Sequence, residues 1–237
     1  VKLEMIKPNR IEVALTMPEA ELEGMSPVLA SGLKATWLHG APASGLKADV
    51  SVALTSKATT FPKFSDYQFV DITRPFSFNG AQSPLFNLDI NGETKVEVPF
   101  DVGRRPPGKL KATFTTRVYE ESGGFSISTN SADLSPFERY VGIKTPKGDA
   151  ARGMLLTDQD HPVDIVVVDK DGNPLPTGEV EVSLYKVGWK WWWEKGYDDL
   201  ADYTGRRSVR VLSRGKVSVA DGKASWPIRV DYPSWGR

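Results

Sequence analysis

The chain contains no cysteine. That excludes disulfide staples, thiolate metal sites and a cysteine nucleophile, and it leaves the redox compartment undefined. Histidine is scarce, with His39 and His161 the only two, so an imidazole base has few places to sit. Charge of one sign is also missing: 30 basic residues balance 30 acidic ones. Without a basic excess or a like-charge run, nothing in the chain advertises nucleic acid. No apolar run is long enough to span a bilayer. Val1 is not an initiator methionine and no signal-peptide core follows it, so the sequence reads as a piece of something longer. A sustained 3.6-residue apolar stripe is absent as well, which excludes long amphipathic helices.

What the chain does have is alternation. Residues 11–15, 33–38, 46–54, 94–102 and 109–120 place apolar side chains at every second position, the period of a half-buried strand. Gly, Pro, Asn and Asp punctuate them at 40–45, 91–92, 106–108 and 122–124. Asn91-Gly92 between residues 85–90 and 94–102 carries the strongest short-range hairpin signal. Phe61 to Phe78 is aromatic and broken by proline, with residues 67–72 its best strand. Short strands with regularly spaced turns predict an all-β sandwich. Trp37, Val50, Val52 and Leu54 are expected on the inner face, with Trp37 the largest of them.

The pattern restarts after Pro136. Val50, Val52 and Leu54 recur 130 residues later as Val180, Val182 and Leu184, and Gly92 and Val96 recur as Gly222 and Trp226. A shared offset argues a duplicated domain. The predicted division is residues 1–136 and 137–237, two tandem antiparallel sandwiches. At this offset the equivalents of residues 110–134 fall beyond Arg237, so the second copy is expected to be truncated.

Residues 179–196 hold the largest unexplained apolar payload. Val180, Val182 and Leu184 share one strand face. Tyr185, Trp189, Trp191 and Trp193 continue on the other, and Trp192 completes four tryptophans in five residues. Gly188, at the changeover, is the expected bulge. These five aromatics form the candidate packing or interaction surface. Packing over the gap in the second domain is favoured by the rarity of large exposed apolar patches. A sugar-stacking platform, as in a carbohydrate-binding or adhesin-type sandwich, is the alternative. It would want Asn or Gln beside the rings, and none lies between Trp189 and Tyr203.

No other constellation carries chemistry. Asp169-Lys170-Asp171-Gly172-Asn173 lacks the spacing and distal Glu of a calcium loop and reads as a hairpin turn. Asp158, Asp160 and His161 lack a further ligand and read as a solvated turn. His39, at a strand end, is expected to be buried or capped. No catalytic residue, metal ligand or cofactor site is identified, and the chain is expected not to be an enzyme.

Trp37-Leu38-His39-Gly40-Ala41-Pro42-Ala43 resembles the Leu/Trp-x-Gly-x-Pro-Ala turn of bacterial alpha-2-macroglobulins. The likeness extends to residues 3–8, to Phe64, Tyr67 and Phe69, and to residues 117–124. In the second half it covers residues 163–174, Leu184-Tyr185-Lys186 and Trp235-Gly236-Arg237. The order of these motifs resembles the fifth and sixth macroglobulin domains, upstream of the bait region. The resemblance implies fibronectin-III-like sandwiches in a protease-trapping inhibitor of the cell envelope or periplasm, its parent lipid-anchored. Other domains of the same chain and target proteases would be the partners. The family's thioester needs a cysteine, so none of its functional residues maps onto this stretch, which leaves a scaffold role.

Overall fold

Among the described residues, alternation becomes strand in both halves of the chain. The computed structural model describes residues 9–17, 21–71, 76–103, 105–176, 178–187 and 209–233. Among them the one helical element is a 3-10 turn at Pro62–Phe64. The chain divides into two compact units, residues 1–57 with 76–136, and residues 58–75 with 137–237.

In the first unit β1 (Ile11–Leu15), β3 (Val28–Trp37) and β7 (Glu93–Pro99) form one antiparallel sheet in the order β1-β3-β7. The second sheet runs β2 (Leu22–Glu23), β9 (Phe125–Ser135), β8 (Leu110–Tyr119), β4 (Lys47–Ser56), β5 (Ala81–Gln82), with β6 (Phe86–Asn87) also on β4. Leu29, Leu33 and Ala35 of β3, Val50 and Val52 of β4, and Phe114 of β8 meet in one buried cluster. Each comes from the apolar phase of its strand, so period-2 patterning alone specifies which face turns inward. Phe114 is the largest fully buried side chain of this core. Trp37 is half-buried at the margin instead. It is the last residue of β3, and its ring stacks on His39 at 6.1 Å with the Arg10 guanidinium 5.8 Å away.

The Asn91-Gly92 turn forms, but not as a hairpin within one sheet. β6 pairs with β4 and β7 with β3, so the turn carries the chain from one sheet to the other. Asp89 Oδ1 accepts the backbone N–H groups of Asn91 and Glu93, both at 2.8 Å. Gly92 has φ +74°, and a Cβ there would run into the Ala35 carbonyl oxygen. The local signal was for a tight turn; which strands pair was decided by non-local burial.

In the second unit β10 (Arg139–Lys144), β11 (Asp160–Asp169) and β14 (Lys223–Arg229) form a sheet in the order β10-β11-β14. β12 (Glu179–Val187) and β13 (Val209–Ser218) pair beside it as an antiparallel two-stranded sheet. The repeat is visible bond by bond. Trp37 N–H donates to Ala41 O, Ala43 N–H to Ala35 O and Ala35 N–H to Gly92 O; Asp169 N–H donates to Asn173 O, Leu175 N–H to Val167 O and Val167 N–H to Gly222 O. The turn therefore recurs at an offset of 132 while Gly92 and Gly222 stay 130 apart. The extra two residues move the equivalent of Val50 from Val180 to Val182. An even shift keeps the strand phase, so the same face stays apolar.

Contacts group residues 58–75 with the second unit. Read from sequence they belong to the first domain, whereas the structure gives them to the second unit. The physical reason is aromatic burial. Phe61 and Phe69 cluster with Tyr140, Val166 and Val168, and Phe64, Tyr67 and Phe137 pack around them. Residues 67–71 form no strand; Gln68 alone bridges to Ile143.

Candidate interaction surfaces

Of the five aromatics singled out from sequence, the structure places Tyr185; Trp189, Trp191, Trp192 and Trp193 lie outside the described residues. Tyr185 is exposed on β12. The register shift falls between Leu184 and Tyr185, pairing Leu184 with Ser213 and Tyr185 with Val211. Gly188, where a bulge is expected from sequence, lies outside the described residues. Around Tyr185 a shallow open groove is lined by Glu181, Ser183, Arg214 and Lys216 among others. Its charges are of both signs, and Lys216 is paired with Glu179 at 2.7 Å. That lining offers no convergent set of polar groups for a small ligand.

The remaining sequence candidates are held structurally. Asp169 Oδ1 accepts the backbone N–H groups of Asp171 at 2.9 Å and Asn173 at 2.8 Å, the geometry of a side-chain-capped turn. These bonds, the one from Asn173 foremost, hold the Asp169 carboxyl below its usual pKa. Asp158 Oδ1 accepts from Tyr232 N–H at 3.0 Å, and Asp160 lies 3.6 Å from Arg229. His161 Nε2–H donates to the Leu156 carbonyl at 2.8 Å. His39, expected buried or capped, is exposed because the turn at Gly40 projects it beyond the sheet. Among the described residues no three His, Cys, Asp or Glu side chains converge on a metal-sized site. Nor is any described helix long and apolar enough to cross a membrane.

The developed surface is one that sequence reading missed, the outer face of β10 and β11. Val166 and Val168 lie on it fully buried, back to back with Ile165 and Val167 on the opposite face. Phe61 and Phe69 cover it, their rings 4.7 Å apart and edge to face. Two glycines make room. A Cβ at Gly142 would meet the Phe69 ring at 2.5 Å, and one at Gly172 would meet Phe61 at 2.7 Å. Gln68 and Ile143 exchange both backbone hydrogen bonds, at 2.8 and 3.0 Å. Asp66 pairs with Lys144 at 3.1 Å, and Lys63 Nζ donates to Asn173 Oδ1 at 3.3 Å. Hydrogen bonding to Asp66 raises the Lys144 pKa above its usual value. The signal was legible in one place: Ile165-Val166-Val167-Val168 does not alternate, and a continuous apolar run marks a strand buried on both faces.

Tandem antiparallel β-sandwiches built on one repeated topology define the class. The Bacterial Alpha-2-macroglobulin MG5 domain model matches residues 9–130, and the Bacterial macroglobulin domain 6 model matches residues 142–237. The chain belongs to the bacterial alpha-2-macroglobulin family and comprises its fifth and sixth macroglobulin domains. Among solved structures it is similar to the native conformation of Escherichia coli alpha-2-macroglobulin, at 17% identity and a TM-score of 0.52 over 96% of this chain and 15% of that one. The trypsin-activated form of the E. coli protein gives 16% identity and a TM-score of 0.55, covering 95% and 15%. Salmonella alpha-2-macroglobulin reacted with methylamine gives 17% and 0.51, covering 98% and 16%. These likenesses concern the fold, and the chain spans about one sixth of the length of each of these proteins. Among curated protein sequences none matches it significantly.

Proposed function

We propose that this chain is a non-catalytic scaffold pair within a protease-trapping protein of the bacterial cell envelope. The observation that carries the reading is the succession of two domain matches, MG5 then MG6, in family order along one chain. That the E. coli relative is recorded in a trypsin-activated state supports target proteases as the external partners proposed for the whole protein. Its other domains are the partners within the chain, and the periplasm or envelope is the compartment. The stretch lacks cysteine, so it contributes no thiol to a thioester. Its work is to hold neighbouring parts of the trap in a fixed arrangement that changes on triggering.

The test uses the full-length parent and the present chain side by side, with trypsin and a large protein substrate. The parent is expected to shield the substrate, and the chain alone to leave hydrolysis unchanged. Stoichiometric protection by the chain alone, or reproducible hydrolase turnover by it, would contradict the scaffold reading. Fractionation that finds the parent in the cytoplasm would contradict the compartment.

A further inference from the structure

Residues 145–159 join β10 to β11, a connection well beyond the usual loop of about 4–6 residues. The equivalent stretch between β1 and β3 holds β2, which pairs with β9. Residues 145–159 hold no strand, and the chain closes a small turn on itself there. Asp149 N–H donates to the Met154 carbonyl at 2.8 Å, and Gly153 N–H to the Asp149 carbonyl at 2.9 Å. The Asp149 carboxylate accepts from the backbone N–H groups of Ala151 at 3.0 Å and Arg152 at 2.6 Å. Gly148 closes the neck, where a Cβ would run into the Gly153 carbonyl carbon.

Every residue from 150 to 156 is exposed. Met154, Leu155 and Leu156 turn three large apolar side chains in a row toward water, at 62%, 38% and 51% exposure. The hydrogen bonds that shape the turn run between residues 149 and 154, so opening it breaks none of the β10–β11 ladder. Exposed loop tips are where folded chains are nicked. When opening is local, cleavage follows the population of the locally open form and needs no global unfolding.

We infer that residues 150–156 are a limited-proteolysis site, a substrate segment for endopeptidases of several specificities. A cation-accepting S1 pocket takes Arg152, a hydrophobic one Met154 or Leu155, and a small one Ala150 or Ala151. Leu156 suits the reaction less, because its carbonyl already accepts from His161 at 2.8 Å. In each case water adds across the peptide bond. At Arg152–Gly153 it leaves a carboxylate on Arg152 and an ammonium on Gly153, with no other reactant. Asp149 sets the access: while its carboxylate holds two amides of the turn, the backbone cannot lie extended along a protease cleft. The cut does not dismantle the second unit. β10 and β11 keep their ladder, and Tyr140 stays clustered with Phe61 and Phe69. The inference goes beyond the scaffold reading and stands whether or not the parent traps proteases.

The experiment uses the full chain and two variants. With trypsin, the initial rate at which residues 153–237 appear as one intact piece is followed by mass spectrometry. The folded chain should yield that piece, and the two halves should co-elute in gel filtration at the size of the uncut chain. Asp149→Ala should speed the cut roughly tenfold, the change expected when a charged hydrogen-bond acceptor is lost. Amide exchange at Val166 in β11 should be unaltered in that variant. Arg152→Gln should abolish the trypsin cut and leave chymotrypsin cutting after Met154 or Leu155 as before. No 153–237 piece from the folded chain overturns the inference, as do halves that separate once the bond is cut. So does a cut that Asp149→Ala leaves no faster, or speeds only together with exchange at Val166. Loss of the chymotrypsin cuts along with the trypsin cut in Arg152→Gln overturns it as well, since the loop and not one side chain is the substrate.

Discussion

β3 and β11 are the same strand of one repeat, yet they are buried differently. In β3 the inner positions Leu33 and Ala35 are buried, while Lys34 on the outer face is solvated and paired with Glu93 at 2.8 Å. In β11 the outer positions Val166 and Val168 are as buried as the inner ones. The turn that follows shows the same contrast. A Cβ at Gly40 would meet nothing within 4 Å, whereas one at Gly172 meets the Phe61 ring. β1 and β10 differ most. Ile11, Val13 and Leu15 are buried on the inner face of β1, but Val141 and Ile143 of β10 are 44% and 41% exposed, and it is Tyr140 on the outer face that is buried. Backbone topology has been kept while the location of the apolar contacts has moved. The first unit draws its stability from the space between two sheets; the second relies also on a layer added outside one sheet.

Substitutions that strike one unit and spare the other test that contrast. The largest effect is expected from Phe114→Ala, which empties the centre of the first core at a cost of about 3–5 kcal/mol. Denaturant unfolding with site-resolved exchange should assign that loss to β3, β4, β7 and β8, with β10 and β11 unaffected. Next is Phe69→Ala, at about 3 kcal/mol, with the assignment reversed. A loss at β4 and β8 from Phe69→Ala would place residues 58–71 with the first unit after all.

A glycine pair sharpens the comparison further. Gly40→Ala and Gly172→Ala each put a side chain at positive φ, +93° and +84°, so both carry similar backbone strain. Only the second meets a ring. The extra destabilisation at Gly172 should be about 1–3 kcal/mol, the usual scale of overpacking. Equal losses at the two positions would mean that Phe61 does not occupy the hollow.

The smallest effect is set by pH. Asp169 has a lowered carboxyl pKa in the fold because it accepts backbone hydrogen bonds. Its contribution is therefore present above its unfolded pKa of about 4 and is lost as pH falls through the lowered folded value. Exchange at the Asn173 amide should quicken in acid below about pH 4, and Asp169→Asn should weaken that dependence. Its counterpart Trp37 cannot titrate, so the turn at Gly40 should show no matching acid step. Lys144 behaves in the opposite sense. Its raised pKa means that its contribution is present below the unfolded lysine value and fades as pH rises through the folded one.

Period-2 alternation carried most of the fold. It marked the inner faces of β1, β4, β7 and β8 correctly, and the spacing of Gly92 and Gly222 exposed the duplication, although the match of Val50 to Val180 was two residues out of register. Three features escaped it, each for a physical reason. Trp37 was placed in the core because alternation gives the face of a residue but not its distance from the strand end. Asn91-Gly92 was read as a hairpin because a turn signal is local and sheet partners are not. Residues 58–75 were given to their neighbours in sequence because nothing in an aromatic, proline-broken stretch names the strand it will cover. The non-alternating Ile165-Val166-Val167-Val168 signalled a second covered face, and Phe61, Phe64, Tyr67 and Phe69 were the unassigned aromatics able to cover it. The tryptophans of residues 189–193, the most conspicuous feature of the sequence, lie outside the described residues, and Tyr185 alone of that group is placed on a strand.

The central claim is that residues 58–71 are structurally part of the second unit, and native-state hydrogen exchange of the unmodified chain tests it most directly. Gln68 and Ile143 exchange hydrogen bonds with each other. Their amides should therefore both be protected, with Gln68 opening at a free energy no higher than that of β10. At rising sub-denaturing urea, protection at Gln68 should be lost together with that at Ile143, and independently of Phe114 in β8. A Gln68 amide that exchanges at the free-peptide rate while Ile143 stays protected would contradict the account.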